Sequence, residues 1–331
     1  MILDPAVALI LVLALALDAV VGDPDWLWRR LPHPVVLFGR MIGWLERALN
    51  RAAWSEAARR CAGILALVAL LGMAGAAGLG LHQICRALPF GLVLEVVLVA
   101  VLLAQNSLYV HVNRVARAFT TGGLEQARAA VSMVVGRDPA TLDEAGVARA
   151  AIETTAENFS DGVVAPAFWY LVAGLPGMVA YKALNTADSM IGHKSPRYFA
   201  FGWGAARLDD LANLLPARLS GCFVIVASGL VGGRPAPALR AMITDARKHK
   251  SPNAGWPEAA MAGGLGLALA GPRTYAGVAV EDPWLNEAGR RAAAPADIDR
   301  ALRVFVAACV VHATLVAGIA AVVLVWVSGQ T

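Results

Sequence analysis

The sequence predicts an all-α integral membrane protein, a polytopic helical bundle with broken or re-entrant helices and helical cytoplasmic segments. Three observations predict it. The chain is 58% hydrophobic and only 16% charged, with a mean hydropathy of +0.60, well above the roughly half-apolar make-up of soluble domains. The excess is gathered into runs of bilayer length at 3–21, 63–81, 91–109 and 304–327, where about 20 apolar residues suffice for a helical crossing. Two more apolar stretches, 163–180 and 219–232, are either interrupted by Pro166, Gly174, Pro176 and Gly177 or short, as in segments that bring backbone polar groups to a buried site.

The whole of 1–331 reads as one membrane-embedded domain with polar cytoplasmic segments at 22–60, 110–160 and 234–303. The net charge of +4 comes without a dense Lys/Arg run alternating with aromatics, which excludes a nucleic-acid reading. Cys61, Cys85, Cys222 and Cys309 lie far apart in or beside apolar runs. Their spacing suggests neither a metal site nor a disulfide framework, so they read as small buried hydrophobes. The N-terminus lacks the basic leader of a cleaved signal peptide, and the first apolar run is expected to stay in place.

Leu3 to Val21 is closed by Gly22-Asp23-Pro24 and carries Asp18 near its end, a carboxylate that either snorkels to water or faces the bundle. Between 22 and 60, seven arginines outnumber four acids, the pattern of a cytoplasmic loop. Within it Pro32-His33-Pro34 is a rigid extended turn. His33 is a candidate base, although a lone histidine is more often structural. In the second crossing Gly72, Ala76 and Gly80, spaced four apart, predict a close-packing face. Glu95 in the third crossing either pairs within the bundle or sits shallow near the outer surface, and its place just after the turn at Pro89 favours the shallow position.

Leu124 to Val135 is amphipathic, Gly136-Arg137-Asp138-Pro139 breaks it, and Thr141-Leu-Asp-Glu144 reads as a capping box that restarts a helix. That helix places Glu153, Glu157 and Asp161 at i, i+4 and i+8 on one face. Such a stripe is either solvated or holds a metal or substrate. Because it runs through Asn158 and Asp161-Gly162 straight into an apolar segment, the second reading is preferred. Further on, Tyr181, Asn185 and Asp188, with Lys182 and Ser189 beside them, form one polar helical face. Asp209 and Asn213 are four apart, and Arg207 with Asp210 has the spacing of a surface ion pair. The turn Ser251-Pro-Asn253-Ala-Gly255 precedes an Ala/Gly-rich helix, whose first amides offer a weak anion site. Gly263-Gly264-Leu-Gly266 lacks the lysine and hydroxyl of a phosphate-binding loop.

The set Glu157-Asn158…Asp161-Gly162-Val163…Ala165-Pro166, Pro176-Gly177…Tyr181-Lys182…Asn185-Thr186…Asp188-Ser189-Met190 and Ala206-Arg207…Asp209-Asp210…Asn213…Pro216-Ala217-Arg218-Leu219 resembles the CobD/CbiB family. Asp18…Gly22-Asp23-Pro24, His33-Pro34-Val35 and the 251–255 turn fit the same pattern, so the resemblance runs over nearly the whole chain. It implies a cobalamin-pathway ligase of the cell inner (plasma) membrane with a cytoplasmic active site. The ligase would use ATP and Mg2+ to join adenosylcobyric acid, a corrinoid, to aminopropanol or its O-phosphate through an amide bond. Membrane lipid and other cobalamin-assembly enzymes would be its partners.

Under that resemblance Glu157, Asp161, Asp188, Asp210 and His33 are the catalytic candidates, and Asp161, Asp188, Asp209 and Asp210 the metal ligands. Lys182, Arg207 and Arg218 would meet phosphate, and Asn158, Asn185, Asn213, Ser251 and Asn253 would bind substrate. The rival reading is a transporter with a polar site in broken helices.

Overall fold

The computed structural model describes residues 5–133, 141–275 and 278–328. The predicted break at 136–139 and the first two residues of the predicted first crossing lie outside these. The protein is an all-α polytopic membrane protein. Among the described residues four helical stretches are long and apolar enough to cross a bilayer: Glu56–Ala87, Gly91–Val131, Glu144–Ile191 and Pro295–Trp326. A fifth candidate is the pair Trp203–Ala212 and Leu214–Leu230, bent by 47°, and Pro5–Val21 is a shorter apolar helix. The stretch 163–180 therefore lies inside a longer helical run, and 219–232 falls largely in the second arm of the bent pair.

The chain divides into two compact units. The first comprises Met1–Ala104, Ala165–Asn213 and Val316–Thr331. It contains α1 (Pro5–Val21), α2 (Asp25–Trp28), α3 (Pro34–Leu49), α4 (Glu56–Ala87), α5 (Gly91–Val101), α8 (Ala165–Ile191) and α9 (Trp203–Ala212). Helix α4 lies along α8 through Gly63, Ala66, Leu70, Ala74 and Gly78, all buried. A Cβ on Gly78 would stand 2.6 Å from Pro176 Cα, and one on Gly63 1.9 Å from the Phe201 carbonyl oxygen. The face predicted from Gly72, Ala76 and Gly80 is not the packed one, since a Cβ on Gly72 or Gly80 meets nothing within 4 Å. From Ala66 to Gly78 the packed series is also spaced by four, but the two stand about 200° apart around the helix. Spacing alone does not choose between them.

Helix α8 bends where Gly174 adopts φ 64°, a left-handed conformation that suits glycine, two residues before Pro176. Asp18 is buried at the end of α1. Glu95 is buried too, 5% exposed, accepting a hydrogen bond from Tyr170 Oη at 2.9 Å and lying 3.2 Å from His82 Nδ1. This corrects the shallow placement: two polar partners from neighbouring helices, invisible in the local sequence, hold the carboxylate inside.

The second unit comprises Gln105–Val164 and Leu214–Leu315. It contains α6 (Gln105–Val131), α7 (Glu144–Phe159), a π-turn (Ser160–Val164), α10 (Leu214–Leu230), α11 (Pro235–Asp245), a 3-10 turn (Ala246–Lys248), α12 (Gly255–Leu265) and the first part of α13 (Pro295–Ser328). Helix α12 is buried nearly all round, and its Ala/Gly composition lets the backbone of α11 approach; a Cβ on Gly263 would stand 2.4 Å from the Pro237 carbonyl oxygen. Two short antiparallel pairs that the sequence did not signal follow α12. They join β1 (Leu269–Ala270) to β4 (Trp284–Leu285) and β2 (Arg273–Tyr275) to β3 (Val278–Val280). The α7 cap is Asp143, whose carboxylate accepts the Gly146 amide at 2.7 Å. The capping box from Thr141 is thus replaced by a cap two residues on.

Candidate active site

In the first unit the second half of α8 carries Tyr181, Lys182, Asn185 and Asp188 and packs against α9, the helix that carries Arg207, Asp209 and Asp210. Asn213 caps the C-terminus of α9. Its Nδ2 donates to Asp209 Oδ2 at 2.9 Å and to the Asp209 carbonyl at 3.2 Å. Its Oδ1 accepts from Tyr181 Oη at 2.9 Å. Asn185 Nδ2 reaches the other Asp209 oxygen at 3.5 Å. Asp209, 7% exposed, is therefore held by carboxamides, and among the described residues no Lys or Arg forms an ion pair with it. Asp188 lies close enough for its charge to act on Asp209 and Asp210. Arg207 Nη1 stands 3.8 Å from Asp210 on the helix surface, as the i, i+3 spacing foretold. Lys182 is buried.

The connection from α8 to α9 is tied down by contacts that the sequence reading missed. Gly192 and Gly202 are required by close approach: a Cβ would stand 1.9 Å from Asp188 Oδ1 at the first and 1.6 Å from the Ile191 carbonyl oxygen at the second. Arg197, in the loop, forks onto Glu46 of α3 with two hydrogen bonds of 2.8 Å. Asn50 donates to the Arg197 carbonyl at 3.0 Å and accepts from Arg59 Nε at 2.8 Å. Arg197 is 147 residues from Asn50 and 151 from Glu46 in the chain, and no local pattern marks these contacts. The Arg197 hydrogen bonds outweigh burial and hold the Glu46 carboxyl below its ordinary range. His33 caps α3, its Nδ1 accepting the Val35 amide at 3.3 Å. Its Nε2 is 3.6 Å from Asp23, and its ring stands edge-on to Trp28.

The remaining candidates belong to the second unit. Glu157 and Asn158 are exposed at the end of α7, and Asp161 is half-buried in the π-turn. The turn precedes Pro166, whose ring would crowd the Gly162 carbonyl in a regular helix; π-turns of this kind are frequent at functional sites. Asn158 Nδ2 donates to the Thr154 carbonyl. Glu153, predicted to share the stripe, is instead buried and accepts the Ala270 amide at 2.8 Å, fixing β1. The Ser251 hydroxyl accepts the amides of Asn253 and Ala254, both at 3.2 Å, so these first amides of the turn are already engaged. Asn253 is buried there. Arg218 stacks over the Trp256 indole at 4.3 Å.

The fit to Mg2+ rests on the donor set. Among the described residues no three His, Cys, Asp or Glu side chains enclose one ion. Magnesium does not need such a cage: it takes one or two carboxylates and completes its shell with water and phosphate oxygens. The neighbouring carboxylates Asp188 and Asp209 supply that kind of donor set, with the Asn185 and Asn213 amide NH2 groups orienting Asp209.

Fold and site together define a polytopic helical membrane protein that holds like-charged carboxylates against carboxamides on a packed helix pair. The chain belongs to the CobD/CbiB family: the family model described as CobD/Cbib protein matches residues 11–305. It is 57% identical over 323 residues to a Sinorhizobium sp protein called Cobalamin biosynthesis protein CobD, covering 96% of this chain and 99% of that one. Proteins of the same name from Rhizobium meliloti (strain 1021) and Rhodobacter capsulatus are 58% and 47% identical, over 92% and 95% of this chain and 94% and 98% of theirs. No solved structure matches the chain.

Proposed function

We propose that this protein is a biosynthetic enzyme of the cobalamin pathway, an adenosylcobinamide-phosphate synthase. It joins the propionate carboxylate of adenosylcobyric acid to the amine of aminopropanol or its O-phosphate, at the expense of ATP. The observation that carries this reading is the Asp188–Asp209 pair. Neighbouring carboxylates with no ion-pair partner among the described residues, set in a membrane protein of this family, call for a cation that a nucleotide substrate brings with it.

A carboxylate does not condense with an amine at neutral pH until its oxygen is made a leaving group. Transfer of the γ-phosphoryl group of ATP to the propionate oxygen gives an acyl phosphate and ADP. The amine nitrogen then attacks the acyl carbon, the C–O bond to phosphate breaks, and the nitrogen loses a proton to a base. Magnesium, when bound, neutralises the phosphate charge along this path. Asp188, Asp209 and Asp210 of the first unit are the residues offered to hold it, and Asp161 is the acidic candidate of the second unit. Lys182 and Arg207 meet phosphate oxygens. Asn185 and Asn213 keep Asp209 oriented, and Asn158, Ser251 and Asn253 bind substrate. His33, Glu157 or one of the aspartates takes the amine proton. The enzyme would sit in the cell inner membrane with these residues toward the cytoplasm, where the substrates and other assembly enzymes are found.

The test uses purified protein in lipid nanodiscs with adenosylcobyric acid, the amine and ATP–Mg2+. Mass spectrometry is expected to show the amide product, with ATP consumed only when both acid and amine are present. Corrinoid crossing sealed vesicles without an amide product would favour the transporter instead.

A further inference from the structure

The second unit carries a pair of like charges that the sequence did not join. In the run Arg247-Lys248-His249-Lys250, the last three each face a carboxylate. Lys248 Nζ is 2.7 Å from Asp245, Lys250 Nζ 2.6 Å from Asp282 and His249 Nε2 3.9 Å from Glu258. Arg247 forms no ion pair among the described residues. It lies instead close enough to Arg218 for the two charges to act on each other.

Backbone packing brings the segments that carry these arginines together. A Cβ on Gly255 would stand 2.1 Å from the Ala246 carbonyl oxygen, and one on Gly221 would stand 3.2 Å from the Trp256 carbonyl oxygen. The 3-10 turn and the start of α12 are thus drawn together by Gly255, which admits no side chain, and α10 lies against the start of α12 at Gly221. Trp256, pinned by its indole N–H to the Pro252 carbonyl at 3.1 Å, supplies the flat support on which the Arg218 guanidinium lies.

We propose that Arg218 and Arg247, with Trp256 as platform, form a binding site for a phosphate group. The inference rests on the reading of Arg218 as a phosphate contact and adds Arg247 and Trp256 to it. Two guanidinium groups brought together without a carboxylate repel each other until an anion lies between them. Each presents a planar fork that matches phosphate oxygens, which ammonium groups do not. Arg218 is half-buried and Arg247 exposed, so the pair is open to a ligand while its inner member is fixed. The amides of the 251–255 turn are not the main donors, because the Ser251 hydroxyl already takes two of them. The phosphate belongs either to a soluble phosphomonoester or polyphosphate, or to a phospholipid headgroup.

The full chain in phosphatidylcholine nanodiscs, without corrinoid, is titrated calorimetrically with inorganic pyrophosphate and with O-phosphoethanolamine, and again in discs containing phosphatidylglycerol. Saturable binding is expected, weakened at least about tenfold by Arg247→Gln and by Arg218→Gln, the loss of a charge-assisted hydrogen-bonding partner. Lys248→Gln, whose lysine is paired with Asp245, is expected to leave binding within about twofold, since surface ion pairs contribute little. Competition by phosphatidylglycerol would assign the site to a headgroup; its absence would assign it to a soluble phosphate. Binding unchanged in both arginine variants, or no phosphate binding in either disc, overturns the proposal. Because binding is read without turnover, failure of the amide-forming reaction would leave this result standing.

Discussion

Asn213 donates a 2.9 Å hydrogen bond to Asp209 Oδ2 while it caps the helix to which Asp209 belongs. One carboxamide thus fixes both the end of α9 and the direction of its buried carboxylate. The other side of Asn213 is held by Tyr181 of α8, so the helix pair and the acidic pair are positioned by the same bonds. Replacing Asp188 or Asp209 by Asn keeps shape and removes charge. Each is expected to lower turnover by about 10²-fold or more, the scale on which removal of one preorganised electrostatic group acts, with the melting temperature held in Asp188→Asn. Asp161→Asn and Asp210→Asn are measured beside them; rates near wild type would remove the residue concerned from the site.

Glu46 gives a pH dependence of known sign. Its carboxyl is held below its ordinary 4.5 by the Arg197 hydrogen bonds, against the opposing effect of burial. The contribution to stability is therefore complete above about 4.5 and is lost as pH falls through the lower folded-state value. Glu46→Gln is expected to melt earlier than wild type at pH 7, with the gap closing as pH is lowered below 4.5. A gap that stays constant over that range would show that the ion pair does not stabilise this loop.

Gly78 and Gly72 sit on the same helix and predict opposite outcomes. At Gly78 a methyl group meets the Pro176 backbone, and Gly78→Ala is expected to cost about 1–3 kcal/mol by overpacking. Gly72 faces open space, so Gly72→Ala is expected to be neutral or to stabilise by up to about 1 kcal/mol through helix propensity. Thermal unfolding in one detergent compares the two directly.

Tyr170→Phe removes one hydrogen bond from the buried Glu95 and leaves His82 in place. A buried acceptor deprived of a donor costs about 1–3 kcal/mol. The substitution is expected to lower the melting temperature; a neutral result would show that water reaches the carboxylate.

Where a property follows from one helix at a time, the sequence read it correctly. The polar face of Tyr181, Asn185 and Asp188 follows from helical period alone, as does the Asp209–Asn213 spacing that becomes a cap. Where several equivalent choices existed, the local pattern chose wrongly: Gly72 over Gly78, Thr141 over Asp143, a shallow Glu95 over a buried one. For Gly78 and Glu95 the deciding group comes from elsewhere, a proline backbone on α8 or a tyrosine 75 residues away, whereas Asp143 takes the cap from inside the same motif.

The chain by itself determined that this is a helical membrane protein of the CobD/CbiB family, because apolar run length and ordered motifs are properties of one dimension. Only the tertiary structure decided which acids stand near one another, which arginines lie within reach of each other's charge, and which glycines admit a neighbouring backbone. Those depend on packing between segments far apart in the chain. Side-chain periodicity carries no information about the partner that closes the gap.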